Sequence, residues 1–349
     1  MQILLISNMG PKASAPVQGQ FIEQQRQALS EPTAYHWMRW HSDSALNRLL
    51  KYPVWLLDFL LRFVCSRKRY DILHVHFYYP TIWLAILYKW LRNRSARIIV
   101  TCHGSDIYQY QPAGFWYRWC AGWADQWIFT SPALQQSFFI RPAQSRVLSA
   151  GIAAHFADCE PLPLAQKDID LLFVGTLNDN KGLDRLQLLL PKLQDKNICI
   201  IGQGPAAPQV RQWLTHYANL SWFPSQTPEQ LKVWYQRSKL LLSLSRQESF
   251  GLVMTEALAC YTPVLATDTD GARAQLQPDF GWIVDQRQSE DELMKQLLAQ
   301  LQLCWQLPEQ DYQRMQQAGR NYAVSQLLPV IATELMALYQ SLCNQQGQL

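Results

Sequence analysis

Glu248 and Glu256 stand eight residues apart around Gly251, in the run Glu248-Ser249-Phe250-Gly251-Leu252-Val253-Met254-Thr255-Glu256-Ala257-Leu258-Ala259-Cys260. Eight residues is slightly more than two helical turns. A helix opened by Gly251 would therefore carry Glu256 within it and leave Glu248 on the loop before it, with both carboxylates able to face one ligand. Free backbone N–H groups of Gly251, Leu252 and Val253 would lie at the positive end of that helix and suit a diphosphate, while a carboxylate on each side accepts hydrogen bonds from vicinal hydroxyls. That combination suits a sugar nucleotide. Two glutamates at this spacing otherwise read as a solvated helix face. Here the glycine, the Ala257-Leu258-Ala259 helix and the apolar run Pro263–Ala266, which reads as a buried parallel strand, follow in the order a ligand site needs.

The elements that must position these groups are written in alternating strand and helix patterns. Leu171–Val174 is an apolar strand running into Gly175 and Thr176, and Lys181-Gly182-Leu183-Asp184 then starts a helix. Ile198–Ile201 leads into Gly202-Gln203-Gly204-Pro205, a glycine turn that is weak evidence alone. Leu220–Phe223 reads as a strand, Pro228–Tyr235 as a helix with Thr227 as its cap, and Leu240–Leu244 as the strand that delivers Glu248. In the amino-terminal half, Met1–Ser7 is a first strand, not a signal peptide, and a loop with Gly10 and Gly19 precedes a helix from Gln20 to Leu29. Asp71–His76 and Arg97–Cys102 are further strands, the second ending on His103-Gly104-Ser105-Asp106. Ligand-contacting residues of open parallel sheets lie at such carboxyl ends.

The chain resembles the retaining glycosyltransferases of family four, two-domain GT-B enzymes that carry an E-x7-E motif. Their pattern lies over Leu244-Ser245-Arg246-Gln247-Glu248 and onward, departing at Leu244, where proline is usual, and at Tyr261, where glycine is usual. The second departure bears on the local turn, because glycine there allows a positive φ that tyrosine dislikes. The resemblance implies an α/β fold of two Rossmann-like domains facing each other across a cleft. It implies that Glu248 holds donor-sugar hydroxyls, Glu256 the ribose diol, and the backbone at Gly251, Leu252 and Val253 the diphosphate. Lys181 matches the family's phosphate-gripping lysine on the loop that Gly175 and Thr176 begin, although Thr176 stands where arginine is commonest. His103 matches the histidine that faces the donor sugar; a satisfied structural histidine is the other reading. Gln226 marks the loop beside the nucleotide base, and Gly19 the loop that approaches the phosphate or acceptor. The donor is then a nucleotide sugar bound as substrate, a UDP-sugar ahead of a GDP-sugar, with no further cofactor and no metal.

Composition fits this architecture. At 349 residues, 48% hydrophobic and 17% charged, the chain is long enough for two domains. We expect an acceptor-binding Rossmann-like domain over residues 1–157, a nucleotide-sugar domain over 158–325, and a last helix over 326–349 crossing back to the first domain. The break falls in the polar Asp158–Lys167 segment, which holds Pro161 and Pro163. The eight cysteines include no C-x-x-C pair, which points to reduced thiols in a cytoplasm.

Charge is unevenly shared: residues 1–155 hold 16 Lys+Arg against 7 Asp+Glu, a balance of +9, and residues 156–349 hold 15 against 20, a balance of −5. Large apolar groups accompany the basic ones in Tyr52–Arg69 and Phe115–Trp119, yet no apolar run reaches the length of a membrane span. These segments read equally as a core helix with a solvated basic end or as a peripheral contact with an anionic membrane. No nucleic-acid module is recognisable. The resemblance, which is to the envelope-polysaccharide type of the family, implies a hexosyl-type transferase moving sugar onto a saccharide or lipid-linked saccharide in cell-surface polysaccharide or lipopolysaccharide synthesis, and the basic, aromatic segments would suit its placement at the inner face of a bacterial plasma membrane. A GT-B-shaped sugar-nucleotide epimerase and a non-catalytic membrane-associated binding protein are the alternative classes.

Overall fold

The computed structural model describes residues 1–11, 18–39 and 44–344. It divides into two compact units, one made of Met1–Gly151 with the stretch from Leu328 onward, the other of Ile152–Leu327. These divisions lie at 151/152 and 327/328, where the sequence suggested 157/158 and 325/326. The shift at the first has a local reason: Ile152 already pairs with Leu327, and Phe156 is buried with residues of the second unit.

In the first unit six parallel strands, β1 (Ile3–Ser7), β2 (Thr33–Trp37), β3 (Ile72–His76), β4 (Arg97–Cys102), β5 (Gln126–Phe129) and β6 (Ser145–Val147), form a sheet in the order β2-β1-β3-β4-β5-β6. Every residue of β1, β3 and β5 is buried, including the polar His74 and His76 of β3 and Gln126 of β5. Alternate side chains serve two layers. Leu4, Ile6, Leu73, Val75, Ile98 and Val100 pack under helices α2 (Ala45–Phe59), α3 (Tyr78–Leu91) and α4 (Phe115–Ala121), together with the π-helical turn Leu60–Val64. On the other face Ile3, Leu5, Ile72, Ile99 and Ile128 pack against Ile22 of α1 (Gln20–Ala28) and against Leu335, Leu338, Tyr339 and Leu342 of the closing helix Leu328–Asn344. That helix is locked by His74, whose Nδ1 meets the Tyr339 hydroxyl at 2.6 Å and whose Nε2 meets Thr101 Oγ1 at 2.7 Å.

The second unit repeats the plan. Strands β7 (Leu171–Val174), β8 (Ile198–Ile201), β9 (Leu220–Phe223), β10 (Leu241–Ser243), β11 (Val264–Thr267) and β12 (Gly281–Val284) are all parallel, in the order β12-β11-β10-β7-β8-β9. One face is covered by α5 (Leu183–Leu189) and by a later helix, Glu290–Trp305, through Leu293, Leu297 and Leu301; the other is covered by α6 (Pro228–Arg237) and α7 (Leu252–Ala259). Helix α6 has the expected start: Thr227 and Gln230 form a capping box, with Pro228 in the first turn. At the end of α7, Tyr261 does take the positive φ, 58°, that the sequence pattern reserves for glycine. Its carbonyl accepts from Lys167 Nζ (3.3 Å) and Gln316 Nε2 (3.0 Å), and the Arg320 guanidinium lies over its ring at 5.3 Å. These contacts hold a conformation that costs about 1–2 kcal/mol in a non-glycine residue.

Candidate functional site

In the second unit, α7 opens where the glycine predicted it. Gly251 has φ 83°, and a Cβ there would stand 2.9 Å from Glu248 Cγ, so the close seat of Glu248 requires glycine. The loop carrying Glu248 is held from behind: Gly271 N donates to the Glu248 carbonyl at 2.8 Å, and the Gln275 amide donates to the Phe250 carbonyl while accepting from Thr255 Oγ1. The Glu248 carboxylate is ion-paired with Lys181 Nζ. Two loops far apart in sequence are thus stitched together. Arg246 N donates to the Asn180 carbonyl at 2.7 Å, Asn180 Nδ2 to the Gln247 carbonyl at 3.1 Å, and the Arg246 guanidinium forks the Asp184 carboxylate at 2.8 and 2.7 Å. Sequence reasoning singled out Lys181 and Glu248, and not Asn180 and Arg246, whose contacts here are with partners more than sixty residues away. At the first turn of α7 the backbone N–H groups have no intrahelical acceptors, so Leu252 and Val253 present donors beside this charge pair.

Glu256 lies in α7 as expected. Its Oε2 accepts from the hydroxyl of Tyr235, which is fully buried on α6, at 2.9 Å. Burial pushes the Glu256 carboxyl up to about 7, and the Tyr235 hydrogen bond opposes that rise only in part. Tyr235 was not singled out from sequence; its inward place on an amphipathic helix was the one available signal.

Gly175 and Thr176 sit at the carboxyl end of β7, with Gly175 N donating to the Ile201 carbonyl at 3.0 Å and Thr176 exposed. The side chain of Gln226 is engaged locally: its Oε1 accepts from Trp234 Nε1 at 2.9 Å and its Nε2 donates to the Ser225 carbonyl at 2.6 Å.

The first unit carries its own constellation at the carboxyl ends of β3 and β4. Gly19 caps α1 in the left-handed region, and two residues on, the Phe21 ring lies edge-on to the His103 ring at 5.1 Å. Asp106 shapes the His103 loop, accepting from the N–H of His103 (3.0 Å), Gly104 (2.9 Å) and Tyr78 (2.7 Å). The His103 ring stacks on His76 at 5.4 Å and lies tilted against Phe77 at 4.5 Å, and His103 Nε2 lies 3.1 Å from His76 Nδ1. Phe77 has φ 63°, a strained value for an aromatic residue, at the point where β3 hands over to α3. Burial lowers the His103 imidazole to about 3, so it is neutral at physiological pH. Among the described residues no three His, Cys, Asp or Glu side chains gather as a metal site.

Comparison with known proteins agrees with this division. Residues 21–153 match the family model described as Glycosyltransferase Family 4, and residues 157–322 match that described as Glycosyl transferases group 1. The N-acetyl-alpha-D-glucosaminyl L-malate synthase of Bacillus anthracis is 23% identical over 259 residues, 64% of this chain and 63% of that protein. The chain spans somewhat under two thirds of the length of the curated relatives it matches first. Among solved structures, sucrose-phosphate synthase from Thermosynechococcus elongatus superposes with a TM-score of 0.73 at 18% identity, covering 98% of this chain and 99% of that one. The Anabaena HepE protein in complex with UDP and glucose gives 0.72 at 14% identity, covering 98% and 100%. These likenesses establish a two-domain GT-B fold.

Proposed function

Given that the chain belongs to the group 1 glycosyltransferases of GT-B fold, we propose that it moves a hexosyl group from a nucleotide sugar to a saccharide acceptor with retention of anomeric configuration. The observation that carries this reading is the corner where Lys181, Glu248 and the opening turn of α7 meet. A diphosphate arriving there competes with Glu248 for the Lys181 ammonium. As Lys181 turns to the phosphates, the Glu248 carboxylate is released to accept hydrogen bonds from sugar hydroxyls. Lys181 and the N–H groups of Gly251, Leu252 and Val253 then meet the negative charge that grows on the departing diphosphate, where preorganised donors act most strongly. Glu256, held by Tyr235, takes the ribose diol; the loop around Gln226 lies beside the base, Gly175 and Thr176 border the diphosphate, and Gly19 approaches the phosphate or the acceptor. His103 contacts the donor sugar. Transfer follows a front-face route in which a leaving phosphate oxygen takes the acceptor's proton. UDP-sugars are the preferred donors, a reading supported by the UDP seen in a structure of this fold.

For the acceptor we propose a lipid-linked saccharide of the cell surface, polysaccharide or lipopolysaccharide. Its support is that the helical layer α2–α4 and the turn after α2 expose Leu49, Leu57, Leu61, Trp90, Phe115 and Trp116, and that Arg67, Lys68 and Arg69, which follow that turn, are exposed as well. Exposed apolar groups with adjacent cations suit the headgroup zone of an anionic bilayer. None of the described helices is long and apolar enough to cross a membrane, so such contact is peripheral.

A thermal-shift series with UDP-, GDP- and ADP-sugars tests the donor class, followed by NMR of the product's anomeric signal. A ligand at about a hundred times its Kd adds about 2.7 kcal/mol to stability, a readily measured rise in Tm. If no sugar nucleotide raises Tm, the donor site is wrongly assigned; an inverted anomeric centre removes retention, and an isomerised free nucleotide sugar replaces transfer with epimerisation.

A further inference from the structure

Cys159 follows the short 3-10 turn Ala154–Ala157, and Cys260 follows the last residue of α7; both are free thiols of the second unit. Each sulfur lies 3.4 Å from the same oxygen, the Phe156 carbonyl, and the Cys159 sulfur is also 3.7 Å from the Ala259 carbonyl. The two thiols are in hydrogen-bond contact with each other. One guanidinium clamps the backbone on both sides. Arg320, on the helix Glu309–Val324, donates to the Ala259 carbonyl at 3.1 Å and to the Ala157 carbonyl.

The pair is unequal. Cys159 is half-buried and Cys260 fully buried, so a small solute meets Cys159 first. The hydrogen bond from Cys260, with the Arg320 and Lys232 cations, holds the Cys159 thiol below its ordinary value against the opposing effect of burial. Lys232 is itself fixed there, donating from Nζ to the Asp158 carbonyl at 2.9 Å. Burial pushes Cys260 the other way and keeps it a thiol. Oxidants attack the thiolate, and a second thiol in contact with it stops the oxidation at a disulfide.

Both ends of the pair abut the contact between Tyr235 and Glu256. Cys260 N donates to the Glu256 carbonyl at 3.1 Å, and the Phe156 ring lies edge-on to the Tyr235 ring at 6.0 Å. Turning a hydrogen-bonded contact into a covalent bond draws the sulfurs together and takes both from the Phe156 carbonyl, a movement that a close-packed interior passes on to its neighbours.

We propose that Cys159 and Cys260 are an oxidation site, closed by peroxide to a disulfide that disturbs the seat of Glu256 and weakens donor binding. The peroxide O–O bond breaks as one oxygen bonds to the Cys159 sulfur, and the hydroxide that leaves takes up the proton given up by Cys159. The Cys260 sulfur then attacks that of Cys159, and the sulfenic oxygen departs with the Cys260 proton as water. Two thiols lose two electrons, and one peroxide becomes two waters. A dithiol reverses the bond by exchange. The disulfide stands on the geometry above; its effect on the donor rests on the ribose role proposed for Glu256.

The reduced full-length protein, treated with a small excess of hydrogen peroxide, alkylated, digested and analysed by mass spectrometry, tests the site. The expected product is a peptide cross-linked through Cys159 and Cys260, lost on adding dithiothreitol and formed before the exposed Cys65 is oxidised. Cys260→Ser should leave Cys159 as a sulfenic acid that dimedone traps, and Cys159→Ser should leave Cys260 reduced. Should Cys260→Ser fail to fold, Cys260→Ala replaces it, and the parent's cross-link decides in either case. Cys159 found reduced, or carried to sulfinic acid without the cross-link, overturns the proposal. Calorimetry with the UDP-sugar should give a Kd about threefold to tenfold weaker for the oxidised parent, the scale of a constraint acting through packing, restored by dithiothreitol and absent in Cys159→Ser. A cross-linked protein with unchanged Kd overturns the coupling to Glu256. If the reduced protein binds no sugar nucleotide, the donor reading falls instead, and the cross-link alone judges the disulfide.

Discussion

Tyr235 and Glu256 lie on different helices, twenty-one positions apart, and share one hydrogen bond of 2.9 Å, with Tyr235 buried and Glu256 half-buried. The proposed ribose ligand is therefore a carboxyl whose charge the protein disfavours by burial and partly sustains through one phenol. Tyr235→Phe should remove that support and weaken UDP-sugar binding about fivefold to tenfold, as expected for one hydrogen bond of about 1 kcal/mol. Glu256→Ala should be worse, roughly tenfold to a hundredfold, since a charge-assisted bond is worth about 1.5–3 kcal/mol. Calorimetric Kd values check both; an unchanged Kd in Glu256→Ala removes the ribose role.

The same carboxyl gives a pH signature. Its value in the folded protein, about 7, lies above the ordinary 4.5, so its contribution to stability is complete below about 4.5 and is lost as pH rises through 7. Glu256→Gln abolishes that titration. The stability of the variant relative to the parent should rise between about pH 4.5 and 7.5 by at most about 3 kcal/mol, less where water reaches the carboxyl. Urea unfolding of both proteins across this range decides it, and a flat difference would mean that Glu256 titrates as an ordinary glutamate.

The first unit should respond in the opposite direction. Burial holds His74 and His103 near 3 and His36 near 4, below the ordinary 6.5. A depressed value contributes stability that is present above 6.5 and lost as pH falls toward 3–4. Ring signals of these histidines should show no titration between about pH 8 and 5, and unfolding should become easier as the solution is acidified. A midpoint near 6.5 for His103 would mean that water solvates its ring.

Lys181 and Glu248 should behave as a coupled pair. Lys181→Ala is expected to lower kcat more than it weakens donor binding, because its charge matters most as the diphosphate leaves, whereas Glu248→Gln should harm both. The double variant should show less than the summed loss, since each single change already breaks the ion pair. A Lys181→Ala enzyme altered only in KM would reassign the lysine to uniform binding.

The outer surface of the helical layer should carry the protein to anionic vesicles at low salt and release it at high salt, each basic residue near the surface contributing about 1 kcal/mol. Changing Arg67, Lys68 and Arg69 to glutamate should abolish most co-sedimentation, and Leu57→Asp should reduce it through the apolar contact. Equal sedimentation with neutral and anionic vesicles, or none with either, would point to a soluble acceptor.

Much of the architecture was written in the chain. Parallel strands buried on both faces appear as unbroken apolar runs, so β1, β7, β8 and β11 could be read directly, and the Thr227-Pro228 start of α6 was read just as directly. Tyr261 was legible as an anomaly, and its positive φ is the physical content of that anomaly. The relations between side chains were not legible. Lys181 with Glu248, Tyr235 with Glu256 and His76 with His103 are pairs created by the sheet order, and no local pattern announces them. Tyr52–Arg69 stayed ambiguous because it is mixed in burial: Trp55, Phe59 and Phe63 enter the core while Leu57 and Leu61 remain outside.

The closing helix Leu328–Asn344 makes the second unit an insertion within the first, and this sets the order in which the chain can mature. During synthesis the apolar face formed by Ile3, Leu5, Ile72, Ile99 and Ile128 must wait for a segment that is made only after the whole of the second unit. Until Tyr339 reaches His74, that face of the first sheet stays uncovered, while all of Ile152–Leu327 has already been made. A stop codon near Leu327 would therefore leave Ile152–Leu327 whole and bare the apolar face of the first sheet, so a late truncation would strike the half of the chain that is made earliest.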